Sequence, residues 1–419
     1  MRYIFLVLAA PLFAQTLTLE QAREMALANH PLLASLDFSS RAAAESPKQI
    51  LSLLSPQFSA GLTASIADDA TRFAYQGLSS PLLISRLGSG VQLSQLLSDS
   101  GRTRLLALSA ATRADAQKEI VKSVRLQILI AVDRAYYSIL RARSLTRVAE
   151  QTLQARQLIV DQVEALTRSQ LRSTLDLSFA RVNLSDAQIL LSRAKNELDS
   201  AQAELTAALG MRDRPAFQIE DSPINENLPP EAEPLVERAL KERPELRQLA
   251  LELQSATQFL DAEKKLSKPT VSFLGTAGLL PLAKGSFPNR FGAAGVSVSL
   301  PIFNGKLFES RQAEVSLRMR ALEKQRDYSS NQIARDVRTA FLNARTSFER
   351  LRLTQELLTQ ARLSLDLAQS RYDLGLGSIV ELSQAQLNQT SAEVASAGAR
   401  YEYQILRAVL RYQLGEGAL

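Results

Sequence analysis

The residues best placed for chemistry lie at two turns. Ser378 and Glu381 stand three apart, as do Ser173 and Asp176. A hydroxyl followed at that distance by a carboxylate, ahead of an apolar helical run, is a helix-capping arrangement. The same carboxylates could instead line a passage, where a ring of negative charge favours cations. Glu381 and Asp176 therefore carry two readings, helix cap or pore carboxylate. Before Glu381 comes Gly375-Leu376-Gly377-Ser378. One glycine can take the left-handed conformation that ends a helix, and Ser378 can start the next. Leu376 is an apolar residue at an exposed turn, which suits a docking contact as well as plain turn chemistry.

Other chemistry is sparse. His30 is the only histidine; it precedes Pro31 and has no partner residues in the pattern, so it reads as an inert helix end. There is no cysteine, hence no disulfide, no thiolate metal site and no lipid on a signal-peptide cysteine. No phosphate-binding loop, nucleophile elbow or H-E-x-x-H motif occurs. No enzyme, cofactor or metal centre is expected. The net charge of +6 is dispersed rather than blocked, which argues against a nucleic-acid partner.

The elements that position these turns follow from periodicity. Residues 1–14, with Arg2, an apolar run from Tyr3 and a small residue at Ala14, read as a signal peptide too short to span a bilayer. Thr18 caps a short helix ending near His30-Pro31, and a second helix runs to about Ser55. After Pro56, residues Phe58, Ala60, Leu62, Ala64 and Ile66 alternate with polar neighbours, as a strand with one apolar face does. A turn-rich stretch at Asp68–Arg86 precedes a second strand around Val91 and Leu93. Helix then runs from Gly101 to about Ser169, and another ends at Leu209-Gly210. After a linker the order recurs: Pro244 and Pro269 match Pro31 and Pro56, and a turn is expected at Pro281–Arg290. Ala135-Tyr136 matches Ala340-Phe341, and Gly210 matches Gly415, at one constant offset. This points to an internal duplication, 15–210 and 235–419, joined by a linker at 211–234.

Geometry narrows the fold. The helix Lys306–Leu374 holds roughly 69 residues, about 100 Å at the usual rise, and must pack along its length. It carries two apolar seams, one through Leu351, Leu358, Ala361, Leu365, Ala368 and Tyr372, the other through Leu353, Leu357, Leu367 and Leu374. Two seams call for neighbours on two sides. The four expected strands suit lipid on one face and water on the other, and Phe58, Phe73, Tyr75, Phe273, Phe287 and Phe291 are candidates for interfacial aromatic girdles. Four strands cannot close a barrel, so the chain must oligomerise to remove its edges. The fold class expected is a mixed α+β membrane protein of long antiparallel helical hairpins and barrel strands. A soluble sheet, in a secreted coiled-coil scaffold or adhesin without a pore, is the alternative.

At this point the chain resembles the TolC-type outer membrane efflux proteins. The resemblance covers the mature chain and rests on the twice-occurring element order. Local matches are Leu17-Thr18-Leu19-Glu20-Gln21-Ala22, Leu300-Pro301-Ile302-Phe303-Asn304-Gly305 and Arg371-Tyr372-Asp373-Leu374-Gly375-Leu376-Gly377-Ser378. It implies a homotrimer with a twelve-stranded barrel in the outer membrane lipid of a Gram-negative bacterium and an α-helical tunnel through the periplasm. It also implies hairpin tips that close the tunnel and meet a periplasmic adaptor protein, which links to an inner-membrane pump. On this resemblance Glu381, Asp176 and Arg172 are candidates for the constriction, and Gly375, Leu376, Gly377 and Ser378 for adaptor docking. Two departures stand out. Gln170 and Arg172 replace Gly375 and Gly377 at the first tip, so a latching arginine would be Arg172. The lipidated cysteine of many relatives is also missing.

Overall fold

The computed structural model describes residues 16–66, 86–213, 217–221, 228–283 and 288–416. The expected signal peptide, most of the Asp68–Arg86 turn with Phe73 and Tyr75, part of the linker, and Phe287 lie outside them. The elements in order are β1 (Thr16–Leu17), α1 (Leu19–Asn29), α2 (Pro31–Leu51), β2 (Gln57–Ser65), β3 (Arg86–Ser98), α3 (Arg102–Arg168) and α4 (Thr174–Ala208). They continue as β4 (Gln218–Ile219), α5 (Glu233–Glu242), α6 (Pro244–Lys264), β5 (Thr270–Ala283), β6 (Arg290–Ser299), α7 (Leu307–Asp373) and α8 (Ile379–Gln413). The sequence helix–helix–strand–strand–long helix–helix thus occurs twice. The chain forms two compact units, one of residues up to 36, 121–244 and from 329, the other of 37–120 and 245–328.

In the first unit, α4 and α8 bury alanines at a seven-residue spacing, Ala180, Ala187, Ala194 and Ala201 on one, Ala385, Ala392 and Ala399 on the other. Small side chains at such a repeat let helices approach closely along a seam. Its largest core cluster includes Leu17, Ala22, Ala26, Val132, Tyr136, Ile139 and Leu209. β1 pairs in parallel with β4, a contact that two-residue strands give no periodicity to foresee. The Tyr136 hydroxyl holds that pair: its single proton is shared between the carbonyls of Leu17 (3.0 Å) and Glu220 (2.6 Å). Thr18 caps α1 in a full capping box with Gln21. His30 Nδ1 accepts from Leu32 N at 3.3 Å, a helix-end role. Gly210, at φ +74°, lies so close that a Cβ there would be 2.8 Å from His30 Cα; no larger residue fits.

The second unit holds an antiparallel sheet in the order β2-β3-β5-β6. β5 runs through the expected turn at Pro281, because β3 also extends back to Arg86 and pairs with it there. The register shifts between Leu87 and Ser89, so Leu280 and Pro281 both lie opposite Gly88; a proline without an N–H is tolerated at such a bulge. The register places Phe58, Leu62, Val91, Phe273, Val296 and Val298 on one face, and Ser59, Gln92, Thr276 and Ser297 on the other. β6 is exposed throughout, and Phe58 and Val298 are 77% and 65% exposed. At the helix starts, Asp99 accepts from the backbone N of Gly101 (3.1 Å) and of Thr103 (2.6 Å). Glu263, on α6, is 1% exposed and pairs with Arg102 of α3 (3.2 Å) and Arg311 of α7 (2.6 Å).

Candidate functional site

The two hairpin tips belong to the first unit, and they share one backbone solution. At the second tip, Gly375 takes φ +74°; its N–H donates to Tyr372 O at 3.0 Å, and Leu376 N–H donates to Arg371 O at 2.8 Å. At the first, Gln170 takes φ +61°, with Gln170 N–H to Thr167 O at 3.0 Å and Leu171 N–H to Leu166 O at 2.9 Å. Both are Schellman closures of a helix C-terminus. Of the two glycines at the second tip, Gly375 supplies the left-handed residue. Gly377 gives a close approach instead: a Cβ there would meet Arg371 Cβ and Tyr372 N at 3.2 Å, a tight contact that those atoms would relieve by shifting a few tenths of an ångström.

Each following helix starts on the serine read from sequence. Ser173 Oγ accepts from Asp176 N, and Ser378 Oγ accepts from Glu381 N, both at 3.1 Å. The Glu381 carboxylate lies 3.2 Å from Arg371 Nε across the turn, which neutralises much of the charge that a free pore carboxylate would present. Both side chains are about half exposed, so the pair contributes little to stability. Asp176 is half-buried. Leu376 is 70% exposed, and Leu171, Leu175, Leu374 and Val380 are exposed with it, so the tips present an apolar surface.

Arg172 joins the tips. Its Nη2 donates to Tyr372 O at 3.1 Å, and its guanidinium lies 4.3 Å from the Tyr372 ring centre, a cation–π contact. Tyr372 is buried against Leu365, Ile379 and Leu382. Its hydroxyl is buried without a hydrogen-bond partner. Burial raises its pKa; Arg172 opposes that shift, and Asp176 and Asp373 add to it. Further along, Asn183 Nδ2 donates to Ser383 Oγ at 2.9 Å. The sequence signalled Arg172 through its departure from glycine. It did not signal that Tyr372 is what Arg172 grips, nor that Arg371 pairs with Glu381; a cation and a carboxylate flanking one turn were the available clue. Of the two seams on α7, the one through Leu351, Ala361, Ala368 and Tyr372 is buried in the chain. The other is open, with Leu353, Leu357, Leu367 and Leu374 all more than half exposed.

With this geometry in place, comparison with known proteins is decisive. The pattern of the family described as "Outer membrane efflux protein" matches residues 22–211 and 235–416. The chain belongs to this family. It is 23% identical over 343 residues to outer membrane protein TolC of Escherichia coli, covering 78% of this chain and 69% of that protein. In fold it is similar to a membrane protein from Pseudomonas aeruginosa (TM-score 0.81, 21% identity, 94% of this chain and 93% of that one). It is also similar to outer membrane protein VceC of Vibrio cholerae (TM-score 0.79, 19% identity, 95% and 96%). The family is one of outer membrane efflux channels rather than enzymes. No described helix is long and apolar enough to cross a membrane.

Proposed function

We propose that the chain is the passive exit duct of a tripartite efflux or secretion system. It works as a homotrimer in the outer membrane of a Gram-negative bacterium, with twelve strands closing one barrel and the helices forming a periplasmic tunnel. A periplasmic adaptor and, through it, an inner-membrane pump supply the substrate and the energy. One observation carries this reading: the sheet has two edge strands, β2 and β6, with no second neighbour among the described residues, and an apolar face that no described residue covers, with Phe58, Leu62, Val91, Val296 and Val298 all more than half exposed. Lipid outside and two further copies at the edges satisfy both. Strands of 9 to 14 residues are long enough to cross the hydrocarbon layer when tilted. The open seam on α7 supports the same assembly, and the matched breakers support two copies of one ancestral unit at 15–210 and 235–419.

In this duct the Gly375–Glu381 tip is the mobile one, and Arg172 holds it shut through Tyr372. Single-channel recording in planar bilayers tests the reading. Wild type should form small, mostly closed pores, Arg172→Gly should open them, and Glu381→Ala should lower cation preference. A water-soluble protein without conductance overturns the duct in favour of the coiled-coil scaffold. Docking through Gly375, Leu376, Gly377 and Ser378 is tested separately: Leu376→Glu should abolish export while trimers still reach the membrane.

A further inference from the structure

Phe291 was grouped above with residues of the lipid interface; the strand register separates it from Phe58 and Phe273. Phe58 faces Leu93 and Phe273 faces Val296, all on the apolar face. Phe291 faces Gly278, on the face that carries Ser59, Gln92 and Thr276. Gly61, Gly90 and Gly278 are directly opposed across β2, β3 and β5, and Phe291 is the fourth member of that row. Its ring lies along the row: a Cβ would be 2.6 Å from Phe291 Cζ at Gly278 and 3.3 Å from it at Gly90. Glycine at Gly278 is what leaves room for the ring to lie down on the sheet instead of standing away from it. The ring's outer face stays open, with Phe291 41% exposed. Leu280 does the same over Gly88, where a Cβ would be 2.8 Å from Leu280 Cδ2. The described strands contain no carboxylate, and only Arg86 and Arg290 are charged.

We propose that Phe291 is a selectivity-determining residue of the pore, a flat aromatic contact for aromatic and organic-cation cargo. The inference rests on the duct reading, in which this face lines the lumen. A trimer then presents three such rings, near the end of the sheet where β5 and β6 connect and away from the helices that follow β3 and β6. On a wall of hydroxyls, amides and backbone with the leucines Leu96, Leu274 and Leu280 among them, Phe291 is the one aromatic among the described residues of this face, and its ring attracts flat apolar surfaces and organic cations through its quadrupole. Small inorganic ions remain hydrated and are not retained by it.

Current block in planar bilayers distinguishes the possibilities. Tetraphenylphosphonium should dwell longer than tetraethylammonium in the wild-type pore, the two carrying equal charge. Phe291→Ala should shorten the tetraphenylphosphonium dwell about two- to fivefold and leave tetraethylammonium unchanged. Phe291→Leu keeps apolar bulk and guards against misfolding; it should behave as the alanine variant does. Phe273→Ala, on the opposite face, should leave both dwell times alone. An open pore whose tetraphenylphosphonium block survives both Phe291 changes overturns this inference and leaves the duct standing. A protein that conducts nothing overturns the duct itself, and the inference with it.

Discussion

The tip at 168–174 and the tip at 373–379 close with the same two backbone hydrogen bonds and the same serine cap, yet their side chains divide the work. The second tip has glycine where left-handed backbone is needed and again where Arg371 comes close. The first places Gln170 in the left-handed region, at a cost of about 1–2 kcal/mol for a residue with a Cβ. It also places Arg172 where the second tip has Gly377, and that arginine reaches across to Tyr372. The difference teaches that identical turn geometry can present a reaching arginine on one side and the ring and carbonyl it contacts on the other. A similar contrast appears higher in the same unit. Asp133 and Arg338 stand at the offset that relates Ala135 to Ala340, and each is ion-paired to the short helix of its own half, but with the charges exchanged. Arg23–Asp133 is bidentate, at 2.7 and 2.6 Å, and buried; Glu233–Arg338, at 2.9 Å, is exposed.

The sharpest way to break this comparison is to remove one member of each pair. Arg23→Ala strands a buried carboxylate and should cost about 3–5 kcal/mol, read as a large fall in Tm by circular dichroism in detergent. Arg338→Ala should leave Tm where it was; equal losses would mean that burial does not distinguish the two halves. A smaller effect is expected at the tips. Gly375→Gln imposes on the second tip the strain already present at the first and should cost about 1 kcal/mol, while Gln170→Gly should gain a similar amount. Changes of the same sign in both variants would show that the two closures are not equivalent. An effect of similar size concerns Arg156, which is 5% exposed where the other half has Ala361. Burial pushes its guanidinium down to about 10, with Asp186 opposing. A depressed base destabilises the folded state at neutral pH, and stability should rise only as pH is raised through about 10 and beyond, where the folded chain releases a proton that the unfolded chain still holds. Arg156→Met should therefore raise Tm, by the equivalent of about 1 kcal/mol; a fall instead would reveal an anionic partner supplied by a neighbouring subunit.

Much of the fold was legible because its signals are local. Pro31, Pro56, Pro244 and Pro269 end or start helices by their own stereochemistry, and Gly210 and Gly375 mark left-handed closures. Alternation through Phe58–Leu62 and Val296–Val298 identified strands with one apolar face. Where reading failed, the cause lay in partners distant along the chain. β5 was ended short of Pro281 because nothing local shows that β3 extends to meet it. Phe291 was placed with the other aromatics because composition near a strand end does not fix its face, whereas one residue of register does. Tyr372 was seen as a seam residue; that Arg172, far away in sequence, lies on its ring is a matter of how two hairpins pack.

By itself, then, the sequence determined the long helices, their caps, the two tip turns and the alternation of the central strand residues, since each depends on neighbours within a few residues. The tertiary structure decided which charges are buried, that Glu381 is neutralised by Arg371, which of α7's two seams is covered, and where the Phe291 ring lies. Those outcomes depend on burial and on distances across the chain, which the order of residues does not contain.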